Sequence, residues 1–301
     1  MKESDTLISP SLPMADAIPE KGISYWKDAW IRLRANRAAI FGLVVLTTLL
    51  LAAIIVPFFT SHTYYETHLQ LKNKAPCSKF WFGTDELGRD LFTRIWWGAR
   101  ISLFMGISAA VIDMAIGVFY GAFAGMAGGK TEEFMMRVTD ILYSLPHLLI
   151  VILLMVIMKP GVLTIIIALT ITGWINMARI VRAQILQIKQ NDFVIAAHML
   201  GAGRWRVLFR HLIPNALGSI ITTMTLTIPA AIFMEAFLSF LGLGVQAPIA
   251  SWGTMASDGL SALRYYPWRL FFPAGFISIT MLSLNLLGDG VRDAFDPRLR
   301  R

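Results

Sequence analysis

Three groups of residues in this 301-residue chain have types and spacings that chemistry uses. The run AGMAGGKT at 124–131 satisfies a relaxed phosphate-loop pattern, with Gly129, Lys130 and Thr131 in the positions that cradle phosphates and ligate magnesium. A working phosphate loop follows a buried strand and opens a helix, so that its amides converge on the anion. This run instead closes a long apolar segment, and it reads as a glycine-rich helix exit with a basic residue at the water interface. The second group is the carboxylates Asp113 and Glu235, which lie within or at the end of apolar stretches. The third is VIAAHMLGAGRWRVLFRHLIP at 194–214, small residues followed by a basic linker, lying between two apolar runs. Five scattered histidines, one cysteine and no HExxH pattern give no metal-binding or nucleophile constellation.

The elements that must position these residues are membrane helices. With 56% hydrophobic residues, 15% charged residues and a mean hydropathy of +0.61, the chain cannot bury its apolar surface in one soluble core. Hydrocarbon about 30 Å thick requires roughly 20 apolar residues of helix. Six stretches meet that need: 38–59, 101–127, 138–158, 162–178, 216–237 and 270–287. Backbone groups in lipid must be satisfied within their own segment, so the expected fold is all-α, a polytopic membrane protein with six transmembrane helices. An even number of spans puts both termini on one side. Assigning that side to the cytoplasm places 18 of the 27 Lys and Arg residues there. The net charge of +8 therefore reads as membrane topology, and no basic-aromatic module for nucleic acid accompanies it.

Within this frame each group acquires a place. Gly117, Gly121 and Gly125 recur every four residues and form a helix-packing stripe along which a neighbouring backbone can approach closely. Asp113 lies one step further along the same stripe, near mid-span, where exposing a carboxylate to lipid costs about 2.5–3.5 kcal/mol on insertion scales. It must face protein or water, either as a contact on a transport pathway or as a carboxyl hydrogen-bonded between helices. Pro146 and Pro229 are candidate hinges of such a pathway, and Pro273 lies similarly in the last span. Glu235 stands at the outer end of the fifth span as a candidate at the pathway mouth, just before Gly242 and Gly244, which suggest a turn back. Asp140 is spaced to pair with Arg137. Tyr25, Trp26, Trp30 and Leu33, and separately the run 87–102, have the spacing of amphipathic helices at the membrane surface. In the loop at 179–214, Ala197 and Gly201 are four apart and share a helical face, with Ala196 beside them. Gly203 is then placed to end that helix, and Arg204, Arg206, Arg210 and His211 lead back to Pro214 at the next span.

Ala196, Ala197, Gly201, His211 and Pro214 resemble the EAA signature of ABC importer permeases, with Ile195 where that signature has an acidic residue. FGTDELGRD at 82–90 and FLSFLGLGVQAPIASWG at 237–253 are similar to the second permease subunit of oligopeptide and dipeptide importers. The resemblance covers nearly the whole chain and implies the type I importer permease fold. It divides the chain into a cytoplasmic tail with an amphipathic segment (1–37), a first span with an extracytoplasmic loop (38–100), and a five-helix core with a coupling loop and C-terminal tail (101–301). It further implies a homologous permease partner, two cytoplasmic ATPase subunits that bind ATP and Mg, an extracytoplasmic peptide-binding protein, and residence in a bacterial inner membrane. No cofactor and no enzymatic step is expected in this chain. Peptide, dipeptide and nickel-complex import all remain open within that family. A stand-alone secondary transporter or channel is the rival, and it calls for paired intramembrane charges or matching broken halves. The orientation is testable at Cys77, the single cysteine, which falls in the predicted outer loop. A membrane-impermeant maleimide should label it in cells whose outer barrier alone is permeabilised; labelling only after lysis reverses the topology.

Overall fold

The computed structural model describes residues 25–295, so the far N-terminal tail and the basic residues after Phe295 lie outside it. Its helices in chain order are α1 (Tyr25–Ala35), α2 (Arg37–Phe59), α3 (Leu91–Ala127), α4 (Gly129–Ser144), α5 (His147–Met158), α6 (Val162–Ile188), α7 (Asp192–Met199), α8 (Arg204–Val207), α9 (Ile213–Phe240), α10 (Trp252–Leu260) and α11 (Trp268–Phe295). A π-helical turn, Leu208–Leu212, joins α8 to α9. The starts of the first two spans follow from capping. Asn36 accepts from the Ala39 amide to open α2, and the Asp90 carboxylate accepts from the Phe92 and Thr93 amides to open α3.

Five helices are long and apolar enough to cross a membrane, α8 to α9 counting as one continuous path from Arg204 to Phe240. The remaining crossing departs from the single span expected over 138–158 with a candidate hinge at Pro146. It is a broken pair, α4 and α5, bent by 78° where Leu145 and Pro146 interrupt the helix. Pro146, with no amide to donate, becomes the N-cap of α5 rather than an internal kink. The stretch between the spans expected at 101–127 and 138–158 is itself helical, because α4 begins at Gly129. The AGMAGGKT run accordingly forms a corner between two helices, with Gly128 at φ 68° ending α3, and no strand precedes it.

The centre of the molecule is the contact between α3 and α6. Gly117 faces Met177 and the Trp174 carbonyl, Gly121 faces the Ala178 carbonyl, and Gly125 faces Ile185 and the Arg182 carbonyl. Successive glycines meet successive turns in the same direction, so the two helices run parallel. The chain must therefore return across the membrane between them, and α4 with α5 makes that return. In contrast, α11 runs antiparallel to α2, with Gly42 against Ser283 and Gly290 against Ala39. Short α1 rests on the end of α11, where Trp26 meets Phe295 edge-on with ring centroids 5.8 Å apart.

The helix ends opposite the loop between α6 and α9 carry a compact cap, the outer one in the expected topology. The expected surface helix at 87–102 is instead the first turns of α3, with Arg94, Ile95 and Ala99 buried. The FGTDELGRD motif folds around Asp85, whose Oδ1 accepts from the Leu87 and Arg89 amides and whose Oδ2 receives Arg89 Nε at 2.6 Å. Arg94 approaches the same carboxylate at 3.6 Å. Buried Arg269 donates to Asn73 Oδ1, Glu86 and the Asp258 carbonyl, tying this loop to α10 and α11. In the same cap Cys77 is half-exposed, and the Phe80 amide holds its thiol below its ordinary pKa.

Because a side chain at Gly121 would run into the Ala178 carbonyl, Gly121→Val must push α3 from α6. The expected cost is about 2 kcal/mol, read as a lowered melting temperature of the detergent-solubilised protein. Gly275→Ala, whose added methyl meets nothing within 4 Å, should leave it unchanged. Equal melting of both variants would remove the seam from its central place.

Candidate functional site

Two regions collect the residues singled out in the sequence: the loop between α6 and α9 and a cavity among the helices. In the loop, α7 is anchored from below by Val194, fully buried against Ile188, Val207, Leu208 and Leu212. Ala197 packs partly against this cluster and Ala196 is exposed. The expectation that Gly201 continues the helical face of Ala197 does not hold, because α7 ends at Met199. The Ala202 amide bonds to the Ala197 carbonyl and the Gly201 amide to the His198 carbonyl, which is a Schellman closure. That closure demands a left-handed residue, and Gly201 supplies it at φ 82°. Gly203, expected to end the helix, instead opens α8 as its N-cap at φ −66°. With two glycines two residues apart, spacing alone did not tell which one takes the left-handed turn.

The surface that results is apolar rather than small. Met199 is 84% and Leu200 89% exposed at the tip, with Ile195 and Phe193 half-exposed beside them. His211 lies 6.4 Å from the Phe193 ring, centroid to centroid, and its carbonyl accepts from Asn215 Nδ2 at 2.6 Å. Pro214 is exposed in the first turn of α9, immediately after the π turn. A proline ring would collide with the carbonyl four residues back in an α-helix, here that of Arg210. The Ile213 amide bonds instead to the Leu208 carbonyl, five residues back, and this wider turn admits the proline without ending the helix.

The cavity has a volume of about 690 Å³ and is walled by α3, α4, α5, α6 and α9. Asp113 lines it and is 5% exposed. Leu145 and His147, on either side of Pro146, line it as well, as do Ala230 and Ala231 just after Pro229. Glu235 does not. It is fully buried toward the outer cap, where Ser102 Oγ and Ser239 Oγ donate to it at 3.0 and 2.8 Å. Ser102 in turn accepts from the Trp252 amide, so α3, α9 and α10 meet at this carboxylate. The turn-back suggested by Gly242 and Gly244 produces α10, whose Gly253 seats against Ala236 and Ser239.

Charge pairs at the inner end also differ from the spacing argument. Asp140 pairs with Arg179 of α6 at 2.7 Å rather than with Arg137 on its own helix, and Glu132 pairs with Arg182. Such cross-helix pairs, like the pairing of Arg269 with Glu86, had no periodic signal because both partners come from distant parts of the chain. Among the described residues no group of three His, Cys, Asp or Glu side chains could hold a metal ion.

A bundle of membrane-spanning helices with an internal cavity and a loop presenting an apolar tip is the architecture of a transport permease. The chain belongs to the binding-protein-dependent transport system inner membrane component family, whose model matches residues 117–301. Residues 24–76 match the N-terminal TM domain of oligopeptide transport permease C. Over 287 residues the chain is 59% identical to the oligopeptide transport system permease protein OppC of Bacillus subtilis, covering 95% of this chain and 94% of that one. It is 56% identical to the dipeptide transport system permease protein DppC of the same organism, covering 95% and 90%. It is 40% identical to the OppC protein of Escherichia coli K12, covering 99% and 98%. The chain is thus a multi-pass inner-membrane permease subunit and not an enzyme, and membership of such a system implies a binding protein and an ATPase as partners.

The Schellman closure generates a prediction. A methyl at Gly201 meets nothing within 4 Å, so Gly201→Ala carries only the left-handed backbone penalty, about 1 kcal/mol. Hydrogen exchange of the Gly201 and Ala202 amides should accelerate roughly fivefold in that variant and less in Gly201→Asn. Unchanged exchange would mean that these two bonds do not hold the loop.

Proposed function

We propose that the chain is one half of the pathway of a peptide importer, paired with a homologous permease and driven by two cytoplasmic ATPase subunits that grip the α7 loop. The observation that carries this reading is covalent continuity. The loop with the exposed Met199–Leu200 tip joins α6 to α9, and these two helices supply much of the cavity wall. Force applied at α7 therefore acts on the helices around the cavity. Ile195 stands where the signature has an acidic residue, so the contact to the ATPase is apolar and shape-based, with Ala196 and Ala197 letting the partner come close. Both termini lie in the cytoplasm, and the cap around Asp85 and Arg269 faces the binding protein. Peptide is the substrate class named for the similar proteins from Bacillus subtilis and Escherichia coli.

The mechanism is a change of population between two arrangements. ATP binding closes the ATPase pair and favours an outward-open cavity, and hydrolysis returns it inward. Nucleotide drives this only through different affinity for the two states; a shift from 1:99 to 99:1 requires about 5.5 kcal/mol of differential binding. A stand-alone secondary transporter receives no support from the cavity, whose lining holds one carboxylate and no Lys or Arg to pair with it.

The test is uptake of labelled tri- and dipeptides by the complete complex in proteoliposomes, with ATP inside and binding protein outside. Leu200→Asp and Met199→Asp place a charge on the apolar tip, and each should reduce ATPase co-purification and uptake by roughly tenfold or more, while the chain still inserts. Undiminished uptake in both would overturn docking at α7, and absence of any peptide uptake by the unaltered complex would overturn the substrate class.

A further inference from the structure

Asp113 is left unexplained by packing. Its Oδ1 is sealed from solvent and has no hydrogen-bond partner among the described residues. A carboxylate can accept about four hydrogen bonds, and burying it without them is costly. No described donor reaches that oxygen. Gly173 of α6 lies directly against the carboxylate, where any side chain would collide with both oxygens.

Of the polar side chains that line the cavity, Tyr143 and Asn176 can donate as well as accept, while the hydroxyls of α9 only accept toward it. Thr223 and Thr227 give their hydroxyl protons to carbonyls of their own helix, Ser219 at 2.8 Å and Thr223 at 2.9 Å, so what remains for the cavity is acceptor lone pairs. His147 Nδ1 is already engaged with Thr172 Oγ1 at 2.6 Å. No Lys or Arg lines the cavity. An ammonium group has three donors and no acceptor, the complement of Asp113 and the α9 hydroxyls. At about 690 Å³ the space holds such a group together with the residue that bears it.

We infer that Asp113, with the acceptor-rich face of α9 opposite, forms a subsite for a primary ammonium group, supplied by the amino terminus or a lysyl side chain of a peptide in transit. The source of the ammonium rests on the peptide reading above; the cation site itself does not.

Two measurements on the complete complex test it. In detergent, a hydrophobic carbodiimide modifies Asp113, read by mass spectrometry as loss of the unmodified peptide that contains it. Capture of the activated carboxyl by methylamine then counts as modification and not as protection. Methylammonium chloride should slow this modification about tenfold relative to sodium chloride at equal ionic strength, and Thr227→Val should weaken the protection. Equal rates in the two salts overturn the site. In proteoliposomes, Asp113→Asn should lower trialanine uptake roughly tenfold, with part of it restored by Asp113→Glu; equal uptake by Asp113→Asn and the unaltered chain likewise overturns it. If the same loss extends to N-acetyl-Ala-Lys-Ala, the site accepts a lysyl ammonium; if only trialanine is affected, it reads the amino terminus. Methylammonium protection in a complex that moves no peptide would uphold the cation site and overturn the peptide reading alone.

Discussion

Backbone contact between α3 and α6 is the constraint on which the remaining architecture depends. In lipid no hydrophobic force draws two helices together, so close association relies on van der Waals contact over small residues. Gly117, Gly121 and Gly125 provide that contact along three turns, each against a different turn of α6. Because the contact is parallel, the intervening chain has to cross back, and because the two helices are already touching, the crossing must pass outside them. The break at Leu145–Pro146 lets α4 and α5 do so at an angle. The space left between that bent return, the two central helices and α9 is the cavity. Asp113 is placed at its wall by the same stripe, one step before Gly117.

The outer cap works by a different physics. Asp85, Arg89 and Arg94 are all nearly buried, and Glu235 is wholly so. Taking such groups out of water costs several kcal/mol per ion unless each finds well-placed partners. Asp85 has two amides and two guanidinium groups, and Glu235 has two serine hydroxyls. These bonds fix one geometry among α3, α9, α10 and the loop before α3. They specify arrangement more than they add stability. A cap so determined gives the outer ends of the helices a rigid frame.

Hydropathy made the spans legible, since an apolar run of 20 residues in a chain of this composition has few other solutions. The glycine stripe was legible for the same reason: period four on a helix means one face. What the sequence left hidden were features set by pairing across distance. Nothing near Asp140 in the chain marks Arg179 as its partner, and nothing near Glu235 marks Ser102. The end of α7 was misplaced because the small residues Gly201 and Gly203 fit two closures equally well, and only the 6→1 and 5→2 bonds to Ala197 and His198 decide for Gly201. The break at Pro146 was visible as a proline but not as a change of direction, since a kinked span and a bent pair begin from the same residue. Asp113 was recognisable as a residue that must face protein or water, but that its carboxylate packs directly against Gly173 of α6, with Oδ1 unpartnered among the described residues, came only from the structure.

The loop between α6 and α9, in the coupling role proposed above, can transmit force only if it is stiff at both ends. Val194 inserts between the end of α6 and the turn at Val207–Leu212, so α7 is packed onto both helices that it links. On the α9 side the chain does not pass through a flexible linker at all, because α8, the π turn and α9 form one helical path from Arg204 to Phe240. The π turn resolves the conflict between that continuity and Pro214, which in an ordinary helix would kink or break the path at the point where a lever has to be rigid. On the coupling reading proposed above, a displacement of Met199 and Leu200 passes through the Val194 cluster into α6 and along the α8–α9 rod. Both helices line the cavity, α6 with Gly173 beside Asp113 and α9 with Thr223 and Thr227, so on that reading the same displacement moves these walls relative to each other.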